Sequence, residues 1–393
     1  MTVMSSTLKR RKYNVIIFKL DFISSIHKEK CPMMIQKEDV LNALKTVNDP
    51  ELHKSLTELG MVDNIVINGN DVNFDIILTT KACPLKEKIR QDAQSAVQAL
   101  EGVGKVYVNI SGKTLTPRLP EKQGIPGVKN IIAISSGKGG VGKSTVSVNL
   151  ACAMTLAGAK VGILDADIYG PNIPIMMGVE GHSLKGVDEN KKGILPEGHG
   201  VKVMSISFLV KPDQAMIWRG PILHKSLAQF FTDMAWGELD YLLIDLPPGT
   251  GDAQLSISQL APITGGIIVT TPQDVSLADC RRANSMFKQT NIPVLGVVEN
   301  MSYFVNRHGE RENIFGEGGG EVFTKELGLD LLAQVPLLPQ VRQDADAGMP
   351  IVMSNPTCEA ALQLTQASNA VVAKICEMSV ASHQEAEAPL ASV

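Results

Sequence analysis

The sequence predicts an α/β protein with a mostly parallel, doubly wound sheet, preceded by a small α+β domain. Three observations carry that prediction. First, 393 residues exceed what one ordinary core organises and suffice for two domains. Second, five short apolar runs recur beyond Lys129: NIIAIS, KVGILDAD, YLLIDLP, GGIIVTTP and PVLGVVEN. Each is separated from the next by enough residues for a helix, and apolarity without alternation marks strands buried on both faces. Third, the stretch before them has its own helix and strand patterns and is set off by a polar segment rich in Pro and Gly.

The small domain opens near Ile35. QKEDVLNALKTV has helical spacing of apolar residues. VDNIVING and VNFDIILTT follow as strands, and Asn68-Gly69-Asn70 between them is a hairpin signal. A second helix runs from about Leu85 to Leu100, with Leu85, Ile89, Ala93, Ala96, Val97 and Leu100 on one face. GVGKVYVNIS is a third strand. This places the small domain at 35–112, a linker at 113–127 (GKTLTPRLPEKQGIPGV) and the larger domain at 128–379, with VPLLP as a further strand. Residues 380–393 read as a disordered tail.

Hydrophobic residues make up 44% and charged residues 20%, the composition of a soluble globular protein. No apolar run is long enough to span a bilayer, so no membrane partner is expected. The net charge of −4 gives no electrostatic reason for nucleic-acid binding. That total hides an asymmetry, since residues 1–34 carry seven Lys or Arg against Asp21 and Glu29, a net +5 that leaves −9 for the rest. Lys19 and Asp21 interrupt the apolar centre an export signal needs, so this segment reads as a loose extension. Met34 opens the folded text. The six cysteines, Cys31, Cys83, Cys152, Cys280, Cys358 and Cys376, include no CxxC pair and hence no local zinc site. Reduced thiols in a cytoplasm are the expectation.

Chemistry concentrates at SSGKGGVGKST. Gly137-Lys138-Gly139-Gly140-Val141-Gly142-Lys143-Ser144 matches GxxxxGK[ST] and lies between a predicted strand and a predicted helix. Glycines let successive backbone N–H groups face phosphate oxygens, and the helix N-terminus adds its positive dipole end. The pattern predicts a P-loop for ATP spanning Gly137 to Thr145. Lys143 would neutralise the β- and γ-phosphates and the Ser144 hydroxyl would ligate magnesium. Asp165 and Asp167 end one predicted strand and Asp245 ends another, where ligands bind in parallel sheets. Asp245 is the candidate carboxylate for magnesium.

Lys138 has no role in a P-loop closed by one chain. It could be merely solvated, or it could reach a nucleotide in a second copy, as an arginine finger does. KGGVGKST resembles the deviant Walker A loop of the ParA/MinD/nitrogenase-iron-protein class of P-loop ATPases. That resemblance implies a homodimer closed on ATP in which Lys138 acts in trans. It further implies that Asp167 orients the attacking water, Asp165 lies near the metal shell and Asn300, in GVVENMS, recognises adenine.

Longer strings narrow the resemblance. DADIYGPNIPIMMG, MIWRGP, LIDLPPGTGDAQLS, TTPQDVSLAD and ENMSYF…IFGEGGG are similar to the Mrp/ApbC family of iron–sulfur cluster carrier ATPases over about 128–378. DPEL…LGMV and LTTKACPLK resemble an FSCA-type iron–sulfur assembly domain, in which the position of Cys83 is the functional cysteine. The resemblance implies ATP and magnesium as ligands, a [4Fe–4S] cluster as cargo, and apo iron–sulfur proteins and assembly factors as partners.

One departure stands out. Many members carry a CxxC pair between ENMSYF and IFGxGG, and thiolates are what clusters need. Here Phe304 to Arg311 contains no cysteine, and His308 alone reads as a surface histidine. Cys83 is the substitute candidate: it precedes a predicted helix, and a helix N-terminus would expose and acidify the thiol. Cys280, on a predicted helix, is the weaker one. The expected function is an ATP-dependent iron–sulfur carrier working as a cytoplasmic homodimer. The alternatives are a ParA/MinD-like positioning ATPase, which the acidic chain and tail disfavour, and a cluster-less ATPase scaffold.

Overall fold

The computed structural model describes residues 35–117, 124–168, 170–182, 184, 186–209, 220–249 and 251–387. The expected extension over 1–34, residues 118–123 of the predicted linker, residues 216–219 of MIWRGP and the last tail residues, 388–393, lie outside them.

The small domain is a three-stranded sheet covered by two helices. α1 (Lys37–Leu44) precedes β1 (Val62–Asn68) and β2 (Asp71–Leu78), then α2 (Lys86–Gln98) and β3 (Val106–Gly112). β1 and β2 form the predicted antiparallel hairpin, closed by the Asn68–Asp71 pair, and β3 lies parallel to β2. Alternation along β2 does what period-2 patterning requires: Val72, Phe74, Ile76 and Leu78 are buried against Val40 and Leu44 of α1 and Ile89, Ala93 and Val97 of α2.

Among the described residues the larger domain forms a nine-stranded sheet, β4 to β12. The strands are β4 (Val128–Ser136), β5 (Val161–Asp165), β6 (Glu197–Gly198), β7 (Val201–Ser205), β8 (Leu239–Asp245), β9 (Gly265–Thr270), β10 (Val294–Val305), β11 (Arg311–Glu312) and β12 (Leu331–Leu337). The order β7-β5-β8-β4-β9-β10-β12 is parallel throughout, while β6 and β11 add short antiparallel edges. The five predicted apolar runs and VPLLP are all strands. β6 and β7 carry no clear sequence signal, because EGHGVKVMS is too short and mixed to stand out.

Helices fill both faces: α3 (Lys143–Leu156), α4 (Ile173–Met176), α5 (Gly220–Thr232), α6 (Asp252–Leu260), α7 (Asp274–Gln289), α8 (Gly319–Leu327), α9 (Pro339–Asp346), α10 (Ile351–Ser354) and α11 (Glu359–Glu387). α11 corrects the predicted boundary at 379, since helix continues through residue 387. Nothing between Ser379 and Glu387 breaks a helix, with no Gly and no Pro before Pro389. Val380 and Ala381 line a small groove with Leu52 and Leu59 of the small domain.

The two domains meet in a polar seam. Thr80 Oγ1 and the buried Tyr241 hydroxyl lie 3.0 Å apart. Asp240 accepts from Lys129 Nζ at 2.7 Å, from the Lys160 amide at 3.0 Å and from Lys81 Nζ at 3.4 Å. Burial by itself would raise the Asp240 carboxyl, but the Lys129 and Lys160 hydrogen bonds outweigh it and hold it below the ordinary range. The start of the predicted linker belongs to this seam. The Lys113 and Leu115 amides donate to Leu78 and Thr79 carbonyls, Thr114 is buried, and Asn130 Nδ2 donates to the Leu115 carbonyl. All of this lies at the amino ends of β4 and β8, which leaves their carboxyl ends open.

Glu51 stands in the same seam, and burial together with the nearby carboxylates of Asp49 and Glu377 pushes its carboxyl up to about 7. A carboxyl raised in the folded state keeps its proton while the unfolded chain has lost it. Stability is therefore lost as pH climbs from the ordinary carboxyl range to about 7. Urea unfolding at pH about 5 and about 8 is expected to give the lower midpoint at the higher pH, and Glu51→Gln to flatten that difference.

Candidate functional site

Asp165 and Asp245 end two adjacent parallel strands and pair in one row with Ile134 of β4. The chain leaves β4 at Ser136, turns through the glycine-rich loop and enters α3 at Lys143. Gly142 is the residue before the helix, at φ +81°, and a Cβ there would stand 2.2 Å from the Asn300 side-chain nitrogen. No other residue type fits both demands.

The loop residues 138–145 line a cleft of about 190 Å³ with Asp167, Asn172, Met176 and Pro248. Beneath it, Asp245 is fully buried. One of its oxygens, Oδ2, accepts from Lys143 Nζ at 2.8 Å and from Ser144 Oγ at 2.6 Å, and Oδ1 accepts from Ser147 Oγ at 2.6 Å. A buried charge is tolerated when its lone pairs are filled this way. The hydroxyl of Ser144 and the carboxylate of Asp245 are hard oxygen donors in contact, the donor set magnesium takes. The glycine-rich loop and the α3 N-terminus line the same cleft, an arrangement that suits a triphosphate.

Asp165 does something different. Its oxygens accept from the amides of Asp167 and Ile173, each at 3.2 Å, and from Ser205 Oγ at 3.3 Å. Burial, and then the charge of Asp245, raise its carboxyl well above the ordinary range. It staples the turn that carries Asp167 from the end of β5 to the cleft. Asn300 is buried behind the loop, and its Nδ2 donates to the Val141 carbonyl at 2.9 Å. That contact braces the phosphate loop. Lys138 reaches Gln273 Oε1 at 2.8 Å.

Sequence reasoning misses Ser147 and Ser205. Ser147 has a usable signal, because it lies one helical turn beyond Ser144 and so faces the same strand end. Ser205 carries no signal until β7 is known to lie beside β5.

The thiols correct an expectation. Cys83 is 5% exposed within the small-domain core, and burial pushes it up to about 11. It is neither exposed nor acidified, because the side chain turns into the core formed with Ile89 and Leu78. Cys280 is buried against the Val269 carbonyl and is likewise raised by burial. Among the described residues no three His, Cys, Asp or Glu side chains are grouped to hold a metal. The hairpin between β10 and β11 is closed instead by Asn306, whose Oδ1 accepts from the His308 and Glu310 amides. Arg311 lies over the Tyr303 ring and pairs with Glu359, and His308 is exposed at the turn.

Residues 127–372 match the family model described as NUBPL iron-transfer P-loop NTPase. The chain belongs to that family. Residues 37–109 match a second model, described as iron-sulfur cluster assembly protein. A Synechocystis protein named iron-sulfur cluster carrier protein is 49% identical over 348 residues, covering 87% of this chain and 98% of that protein. The Escherichia coli K12 protein of the same name is 40% identical over 346 residues, covering 86% and 91%. A solved Archaeoglobus fulgidus nucleotide-binding protein, in complex with ADP, is 40% identical with a TM-score of 0.51, covering 57% of this chain and 88% of that one. Membership in the NUBPL family makes the larger domain a P-loop NTPase. Among the described residues no helix is long and apolar enough to cross a membrane.

Ser147→Ala leaves a buried carboxylate oxygen without a donor and is expected to destabilise the fold by about 1–3 kcal/mol. It should also weaken magnesium-nucleotide binding. Thermal unfolding and titration calorimetry read the two effects.

Proposed function

We propose that this chain is an ATP-driven iron–sulfur cluster carrier acting as a cytoplasmic homodimer, with apo iron–sulfur proteins and assembly factors as its partners. The observation that carries the ATPase half is the buried Asp245 carboxylate shared by Lys143 and Ser144 under a glycine-rich loop. The carrier half is supported by the names of the relatives and by the assembly-domain match.

The reaction is attack by water on the γ-phosphorus, with ADP leaving. Lys143 releases Asp245 to meet the β- and γ-phosphates, since a triphosphate offers more charge than one carboxylate. Ser144 and Asp245 would hold magnesium, which would supply charge neutralisation at those phosphates. Asp167 lines the cleft and orients the water. Lys138 of a second copy stabilises the charge that develops on the transferring group.

The cargo raises a second reading. Among the described residues no three His, Cys, Asp or Glu side chains are grouped to hold a metal, and Cys83 is buried. These two observations favour a scaffold that recruits apo-proteins through the small domain without carrying a cluster itself. Anaerobic reconstitution followed by iron and sulfide counts per dimer separates the two. The carrier reading expects bound iron that falls in Cys83→Ala, whereas wild-type protein without iron leaves the scaffold. For the ATPase, Lys138→Ala is expected to lower turnover about a hundredfold or more, and unchanged turnover would remove the cross-subunit role.

A further inference from the structure

Lys138 is not loose in this chain. Its ammonium donates to Gln273 Oε1 at 2.8 Å, and the Thr271 hydroxyl donates to the same oxygen at 2.9 Å. Gln273 is the residue that precedes α7. The front of the loop is seated on that helix too, since a Cβ at Gly137 would stand 2.4 Å from the Asp279 carbonyl carbon. Ser136 Oγ closes the turn on the Lys138 carbonyl at 3.0 Å. Lys138 and Gln273 are both half-buried. The loop therefore aims this lysine at one acceptor, and that acceptor is aimed by its own neighbour.

We propose that Gln273 is a positioning residue for Lys138, holding its ammonium in cis and thereby setting how readily one chain gives the lysine up to a nucleotide bound by a second copy. The proposal rests on the dimeric ATPase reading and goes beyond it by naming what controls the lysine. The amide side chain suits the task. A neutral carbonyl orients an ammonium group yet yields it to a triphosphate, which carries several negative charges. A carboxylate at 273 would turn this bond to a neutral acceptor into an ion pair and compete with the phosphates. An apolar side chain would not hold the lysine at all. The three chemistries thus predict opposite shifts from one position, which a purely structural role for Gln273 would not produce.

Two measurements test this on the full-length chain. In nucleotide-free protein, acylation of lysines by a water-soluble succinimidyl ester is followed by mass spectrometry, with exposed Lys160 as reference. Gln273→Leu is expected to raise the Lys138 rate several-fold, Gln273→Glu to lower it, and Gln273→Asn, one methylene too short, to behave like Gln273→Leu. With ATP added, sedimentation and the concentration dependence of turnover give the midpoint for dimer formation. That midpoint should fall in Gln273→Leu and rise in Gln273→Glu, each by about tenfold, the equivalent of one charged hydrogen bond. Equal Lys138 rates in all variants overturn the proposal, as do midpoints that shift in the same direction in Gln273→Leu and Gln273→Glu. Wild-type protein that stays monomeric with ATP, with Lys138→Ala turning over normally, brings down the dimeric reading and the proposal with it. A wild-type dimer with Lys138 acylation unmoved brings down the proposal alone.

Discussion

One buried carboxylate ties the larger domain together at its working end. Asp245 has no solvent to stabilise its charge, so the fold supplies an ammonium and two hydroxyls, from Lys143, Ser144 and Ser147. All three come from the first turns of α3. The end of β8 and the start of α3 are thereby locked in one arrangement, and the loop that joins β4 to α3 has little freedom left. The shape of the phosphate cradle follows from this constraint and from Asn300 pressing on Val141 from behind.

The same strand carries the domain seam at its other end. Asp240 and Tyr241 meet Lys81 and Thr80 of the small domain, while Asp245 serves the loop. Five residues of strand separate the two sites by roughly 17 Å. The small domain is therefore held behind the sheet, where it does not obstruct the face on which the cleft opens. Its cysteine is turned inward, and the hairpin between β10 and β11 is closed by asparagine, an aromatic–arginine contact and an ion pair.

Much of this is legible in the sequence because the signals are local. A strand buried on both faces is an apolar run, a hairpin is Asn-Gly between two runs, and a phosphate cradle is a spacing of glycines with a lysine. Asp245 and Lys143 can be assigned to one site from the residues alone, because each sits at the end of a predicted element. Asp165 falls correctly at a strand end, but its role as a staple depends on Ser205, which lies in a strand with no clear pattern of its own. The boundary at 379 fails for a related reason. The helix of residues 359–387 lines a groove with Leu52 and Leu59, which are more than three hundred residues away from Val380 along the chain.

The sequence by itself determined the fold class, the order of the two domains and the residues of the phosphate loop, because backbone conformation and burial pattern are set by near neighbours. Tertiary structure alone decided which side chains face each other across elements. It turned Cys83 into the core, set Asn300 against the loop and gave Lys138 a partner in Gln273, 135 residues away. A side chain's direction, and with it a thiol's acidity or an ammonium's hold, depends on what packs against it, and those neighbours are distant in the chain.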